Sequence, residues 1–153
     1  MMAGPDQRSL DARVRAQIYR HFVDTTHPPT AAEVAQALDA TRDEVHGAFD
    51  RLGAARALVL REGTREVSMA HPLSATTTPF RVEANGHTYY ANCAWDSLGV
   101  AAMLDADARI EARCGDCDDP LAYEIRRGAL RSDPLRIHFA VPPRRWWDDI
   151  GFT

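Results

Sequence analysis

Cys93 and Asp96 stand three residues apart in the run Tyr89-Tyr90-Ala91-Asn92-Cys93-Ala94-Trp95-Asp96. On the first turn of a helix that spacing turns both side chains the same way. A thiolate is the ligand a thiophilic metal prefers, and a carboxyl group beside it can deliver a proton. The plainer reading of the same cysteine is a small buried hydrophobe. The other two cysteines form Cys114-Gly115-Asp116-Cys117. That element reads either as a turn between strands or as half of a zinc knuckle. Zinc wants four ligands, which here would require Cys93 and a histidine such as His87 or His138. A redox C-x-x-C of the thioredoxin kind would need a βαβ context that the surrounding pattern lacks.

Other candidates carry less chemistry. Asp116, Asp118 and Asp119 lack the spacing of a calcium loop and read as a solvated turn. Neither a Gly-rich phosphate loop nor a G-x-S-x-G element occurs. His21, His27 and His46 read as surface or cap positions. Trp146 and Trp147 could line an apolar pocket, although adjacent aromatics near a domain end usually pack.

The elements that must position Cys93 and Asp96 fall into two regions, 1–72 and 73–153. In the first, Leu10, Val14, Ile18 and Phe22 recur at helical spacing up to His27-Pro28-Pro29. Thr30–Glu33 and Thr41–Glu44 have the form of capping boxes, each opening a further helix. Segments 57–60 and 66–69 flank the turn-prone Arg61-Glu62-Gly63-Thr64 and predict a hairpin. Three helices and a hairpin give a winged helix-turn-helix-like domain. In the second region, 80–83 and 87–91 alternate around Asn85-Gly86, a strong hairpin turn. A helix is predicted over 96–104, and strands over 108–112, 121–125 and 135–141. The expected fold class is therefore α+β, a mainly antiparallel sheet with a helix on one face following the helical domain. Cys93 falls where the second strand gives way to the helix. Free N–H groups and the positive dipole end there predict a lowered thiol pKa.

The chain has 153 residues, 45% apolar and 26% charged, enough for one fair-sized core or two small subdomains with a shared interface. Its net charge of −4 gives no general attraction to nucleic acid or acidic membrane. Every basic residue is arginine. The non-core face of the third helix carries Arg42 and Arg51 against Asp43, Glu44 and Asp50, and residues 1–72 hold nine arginines against ten acids. Phosphate contacts need a basic face, so this region is expected to support the second one and not to bind DNA. No apolar run opens the chain or reaches bilayer length, which argues against a membrane partner. A cytoplasmic location with three free thiols is the expectation.

Several stretches together carry a resemblance to a known family. They are Ala70-His71-Pro72-Leu73-Ser74-Ala75, Pro79-Phe80-Arg81-Val82, and the run from Tyr89 through Cys93-Ala94-Trp95-Asp96 to Ser97-Leu98-Gly99. Ala112-Arg113-Cys114 with Asp119-Pro120, and Trp146-Trp147-Asp148-Asp149-Ile150-Gly151-Phe152-Thr153, complete the set. The chain resembles the organomercurial (alkylmercury) lyases, whose N-terminal domain is also winged-helix-like. The resemblance implies protonolysis of the carbon–mercury bond of an organomercurial to a hydrocarbon and Hg(II). Cys93 would bind the mercury, a second thiolate would join it, and Asp96 would relay the proton. A cysteine matching Cys114 is structural in the family. No organic cofactor is implied, and Hg(II) would pass as bound product to cellular thiols or a mercuric reductase.

One departure stands out. The family carries a further catalytic cysteine in a segment like 146–153, and no cysteine stands there in this sequence. It would follow Thr153, so the second region is expected to be incomplete at its C-terminus, broken off within a strand. Cys117 is the substitute thiolate within the chain. Two other functions remain, a winged-helix metal- or thiol-responsive regulator and a non-catalytic lyase-like protein. A basic recognition surface would favour the regulator; absence of hydrocarbon release would favour the non-catalytic form.

Overall fold

The computed structural model describes residues 5–132 and 134–151. Val14, Ile18 and Phe22 lie fully buried along one stripe of α1 (Pro5–Thr25), as their spacing predicts. Both capping boxes are made. Thr30 opens α2 (Ala31–Leu38) and Thr41 opens α3 (Arg42–Ala54), each exchanging hydrogen bonds with the glutamate three residues on. Val45, Ala48, Phe49 and Leu52 of α3 are buried, and α3 packs against both α1 and α2. Arg51 of α3 grips Asp11 of α1 with two prongs, Nε to Oδ2 at 3.0 Å and Nη2 to Oδ1 at 2.7 Å.

Beyond the helices, β1 (Val59–Leu60), β2 (Val67–Ala70) and β3 (Leu73–Ser74) form a small antiparallel sheet in chain order. β2 and β3 pair across position 72, Ala70 opposite Leu73, and Leu73 also bridges to Ala91. The small sheet is thus stitched to the second region. Buried Tyr89 reinforces that seam by donating to the Val23 carbonyl at 2.9 Å, while within the first region Tyr19 of α1 donates to the His71 carbonyl at 2.7 Å.

The larger sheet comprises β4 (Arg81–Ala84), β5 (His87–Tyr90), β6 (Ala108–Arg113), β7 (Pro120–Arg126) and β8 (Ala129–Arg131). Its order is β5-β4-β6-β7-β8, antiparallel throughout. Helix α4 (Ala94–Leu104) connects β5 to β6 and packs on β4 and β6. Alternation along each strand sorts the two faces. Val82, Ala84, Tyr89, Ala108, Ile110, Ala112 and Tyr123 are buried, while Arg81, Glu83, Arg109, Glu111 and Glu124 face outward. Outward charges pair along and across strands, Arg81 with Glu83 of the same strand at 2.6 Å and with Glu111 of β6 at 3.0 Å. The fold class is α+β.

One strand expectation fails. Segment 135–141 forms no strand, and Leu135, Ile137 and Phe139 are 41%, 37% and 38% exposed. The edge it would have joined is taken by β8, which returns from β7 through the two-residue turn Arg127-Gly128, both with positive φ. Its alternating apolar residues instead arch over the start of α4. Segment 143–148 is a short 3-10 helix entered through Pro142-Pro143. Phe152 and Thr153, where the sequence reading put a broken strand, lie outside the described residues. Among the described residues no helix is long and apolar enough to cross a membrane.

Candidate functional site

Cys93 is the N-cap of α4, and its Sγ accepts the Asp96 backbone N–H at 3.5 Å. Asp96 therefore sits at the third helical position, one turn along, with 19% of its side chain exposed. The strand before it is anchored: Ala91 N–H donates to the Phe80 carbonyl, and Thr78 Oγ1 to the Ala91 carbonyl. Cys93 consequently emerges at a fixed point on the sheet end. Cys93 and Asp96 thus fall on one helical turn, the thiol meeting the Asp96 backbone N–H while the carboxylate meets Asn92 and His71.

Cys93 lines a cavity of about 270 Å³ with Phe80, Trp95, Ile137, Phe139 and Trp146. The arching segment closes it from above. Phe139 packs between Trp95 (6.4 Å) and Trp146 (5.3 Å), and Trp146 Nε1 donates to the Val141 carbonyl at 2.8 Å. His138 is also in this lining. Larger recesses lie over α1 (about 630 Å³) and between the first helices and the β1–β2 turn (about 960 Å³), but no cysteine lines either.

Asp96 does not line the cavity itself. Its Oδ2 accepts from Asn92 Nδ2 at 3.0 Å and lies 3.5 Å from His71 Nδ1. Asn92, which touches that carboxylate, does line the cavity. Trp147 sets its ring edge-on to His71 at 6.0 Å and carries Arg56 over its other side. Beneath the helix start, buried Ser97 donates to the Ala94 carbonyl at 2.6 Å and meets the Tyr123 hydroxyl at 2.8 Å.

The expected low thiol pKa is overturned. Burial pushes Cys93 up; the Asp96 N–H pulls it down, but the Asp96 carboxylate pushes it up again, and the net direction is upward. The helix N-terminus is outweighed because the thiol is partly desolvated and its nearest charge is negative. Site-resolved alkylation of Cys93 by iodoacetamide should therefore climb with pH to an inflection above that of free cysteine. Asp96→Asn should lower that inflection. An inflection below free cysteine in the unaltered chain would mean that the dipole wins.

Cys114 and Cys117 lie together in the β6–β7 turn, outside the cavity lining. Backbone N–H groups of Cys117 and Asp116, with the Cys117 thiol, pull Cys114 down. For Cys117 the Asp119 N–H favours thiolate, but donation of its S–H to Asp119 Oδ2 at 3.2 Å and the facing Cys114 leave it raised. Among the described residues no three His, Cys, Asp or Glu side chains gather as a metal-holding group. His71, Asn92 and Ser97 stood in the sequence only as members of motifs, and Tyr123 only within a predicted strand. Asn92 and Ser97 had a local signal, four residues from Asp96 and Cys93 respectively. His71 and Tyr123 reach the site only through tertiary pairing.

Residues 73–153 match the sequence profile of the family described as alkylmercury lyase. The solved structure titled as the mercury-bound form of MerB2 superposes with a TM-score of 0.67 at 24% identity. That match covers 80% of this chain and 58% of the other, so the chain spans less than two thirds of that relative. At such identity the likeness is one of fold. No curated protein matches the chain.

Proposed function

Because the chain belongs to the alkylmercury lyase family, we propose that it cleaves the carbon–mercury bond of organomercurials by protonolysis, with Cys93 as mercury ligand and Asp96 as proton relay. The observation that supports this most is the Cys93 thiol at the wall of an apolar cavity with the Asp96 carboxyl group one helical turn away. The organic group of the substrate would occupy the aromatic space under Phe139. Mercury would replace the Cys93 proton, which passes to Asp96. A raised thiol pKa suits that order, because the proton stays on sulfur until the metal displaces it. A second thiolate on mercury pushes electron density towards carbon. Asp96 then protonates the carbon, the bond breaks, and mercury stays divalent on sulfur. Overall, the Cys93 thiol, a second thiolate and one organomercury cation give one hydrocarbon and one mercury bis-thiolate, the Cys93 proton ending on carbon.

The second thiolate would come from a small-molecule thiol or from Cys117, and cellular thiols or a mercuric reductase would take the Hg(II). We read α1 to α3 and the small sheet as a winged-helix-like scaffold for this site. Of the arginines that a DNA backbone would need, Arg51 is held by Asp11 and Arg65 by Asp50 at 3.1 Å. Incubated with phenylmercury and excess thiol, the chain should release benzene well above a thiol-only control. Release equal to the control would leave a mercury-binding protein without lyase activity. If Cys117→Ser abolishes release that small-molecule thiol cannot restore, Cys117 is the second ligand.

A further inference from the structure

Asn92 joins the cavity to the carboxylate behind it. Its Nδ2 has two hydrogens, and its two shortest contacts are Asp96 Oδ2 at 3.0 Å and the Pro72 carbonyl at 3.2 Å. His71 Nδ1 at 3.3 Å and the Leu73 carbonyl at 3.5 Å complete its surroundings. Turned end for end, the amide would set its oxygen against three other oxygens, so its orientation is fixed. That orientation leaves Asn92 Oδ1 buried with no hydrogen-bond partner among the described residues. A buried orphan of this kind costs stability and calls for a compensating role.

An amide N–H can only donate. Asp96 Oδ2 is therefore an acceptor whether the carboxyl group is ionised or not, and in the acid form the hydrogen resides on Oδ1. Both side-chain contacts to the carboxylate, from Asn92 and His71, go to Oδ2. Resting on the lyase reading above, we propose that Asn92 is a positioning residue for protonolysis: holding Asp96 by Oδ2, it makes Oδ1 the atom that takes the Cys93 proton and returns it to carbon. In the first step S–H breaks as S–Hg forms, and the proton moves to Oδ1. In the second, O–H breaks and the electron pair of the carbon–mercury bond forms C–H. No electron is gained or lost by mercury.

Asn92→Ala removes the donor and the shape, whereas Asn92→Asp keeps the shape and removes the donor. Each is measured for benzene release from phenylmercury, for the rate of phenylmercury capture by Cys93, and for the solvent deuterium isotope effect on release. Expected is a fall in kcat of about 10- to 100-fold in both variants, since misplacing a reacting group costs about that much. Capture should stay within about twofold and the isotope effect should rise, because proton transfer has become the slow step. Release at the unaltered rate in either variant overturns the proposal and leaves the lyase reading intact. Loss of capture along with release in both variants also overturns it, because Asn92 then acts only by shaping the cavity. No release from the unaltered chain removes the lyase reading, and this inference with it.

Discussion

Cys93→Ser should abolish capture of an organomercurial in the presence of excess small-molecule thiol, while Asp96→Ala should keep capture and lower hydrocarbon release by about 10²- to 10⁴-fold. The first effect follows from ligand softness: a serine hydroxyl is a hard donor and does not compete with free thiols for mercury. Excess thiol is needed in the assay because Cys114 and Cys117 are free and would bind the probe loosely. Only a thiol backed by an apolar cavity should hold it against that competition. The second effect separates binding from chemistry. Asp96→Ala leaves the backbone N–H that reaches Cys93 Sγ, so the cap survives, and removes only the carboxyl group. It also removes a negative charge that raises the thiol, so capture near neutral pH should quicken as release collapses. Equal loss of capture in Cys93→Ser and Cys114→Ser would point to a shared metal site, and unchanged turnover in Asp96→Ala would take that residue out of the reaction.

What the sequence made legible was local. The two capping boxes, the Asn85-Gly86 turn and the strands expected at 80–83, 87–91, 108–112 and 121–125 depend on neighbours within a few residues, and each formed where its pattern lay. So did the Cys93–Asp96 turn. What was not legible depended on long-range competition. The run Leu135, Ile137, Phe139, Val141 has the alternation of a strand, but β8 had already filled the neighbouring edge, and alternation equally suits a segment that turns one side onto a cavity. The thiol pKa went the wrong way for a similar reason. A helix N-terminus is visible in the sequence, whereas the desolvation of Cys93 under the 135–141 arch is not. His71 reaches Asp96 only because Leu73 pairs at once with Ala70 and with Ala91, a joint no periodicity reveals.

That joint sets the remaining large effect. Tyr89 of β5 is 1% exposed and donates its hydroxyl to the Val23 carbonyl near the end of α1. It contributes to the core of the second region and to the tie with the first. Tyr89→Ala should cost about 3–5 kcal/mol, the range for truncating a buried aromatic. Against a total stability of about 5–15 kcal/mol for an ordinary domain, that is enough to leave the chain marginal. Tyr89→Phe, which removes only the hydrogen bond, should cost about 1 kcal/mol. The readout is urea unfolding followed by two probes. All three tryptophans, Trp95, Trp146 and Trp147, lie in the second region, so fluorescence reports it, while far-UV circular dichroism is weighted to α1, α2 and α3 in the first. With the β2–β3 pairing and the Tyr89 hydrogen bond both crossing the seam, the two transitions should coincide and shift together in Tyr89→Ala. A shift in the fluorescence transition alone would show two regions that unfold independently, and would reduce the seam to a contact between separate domains.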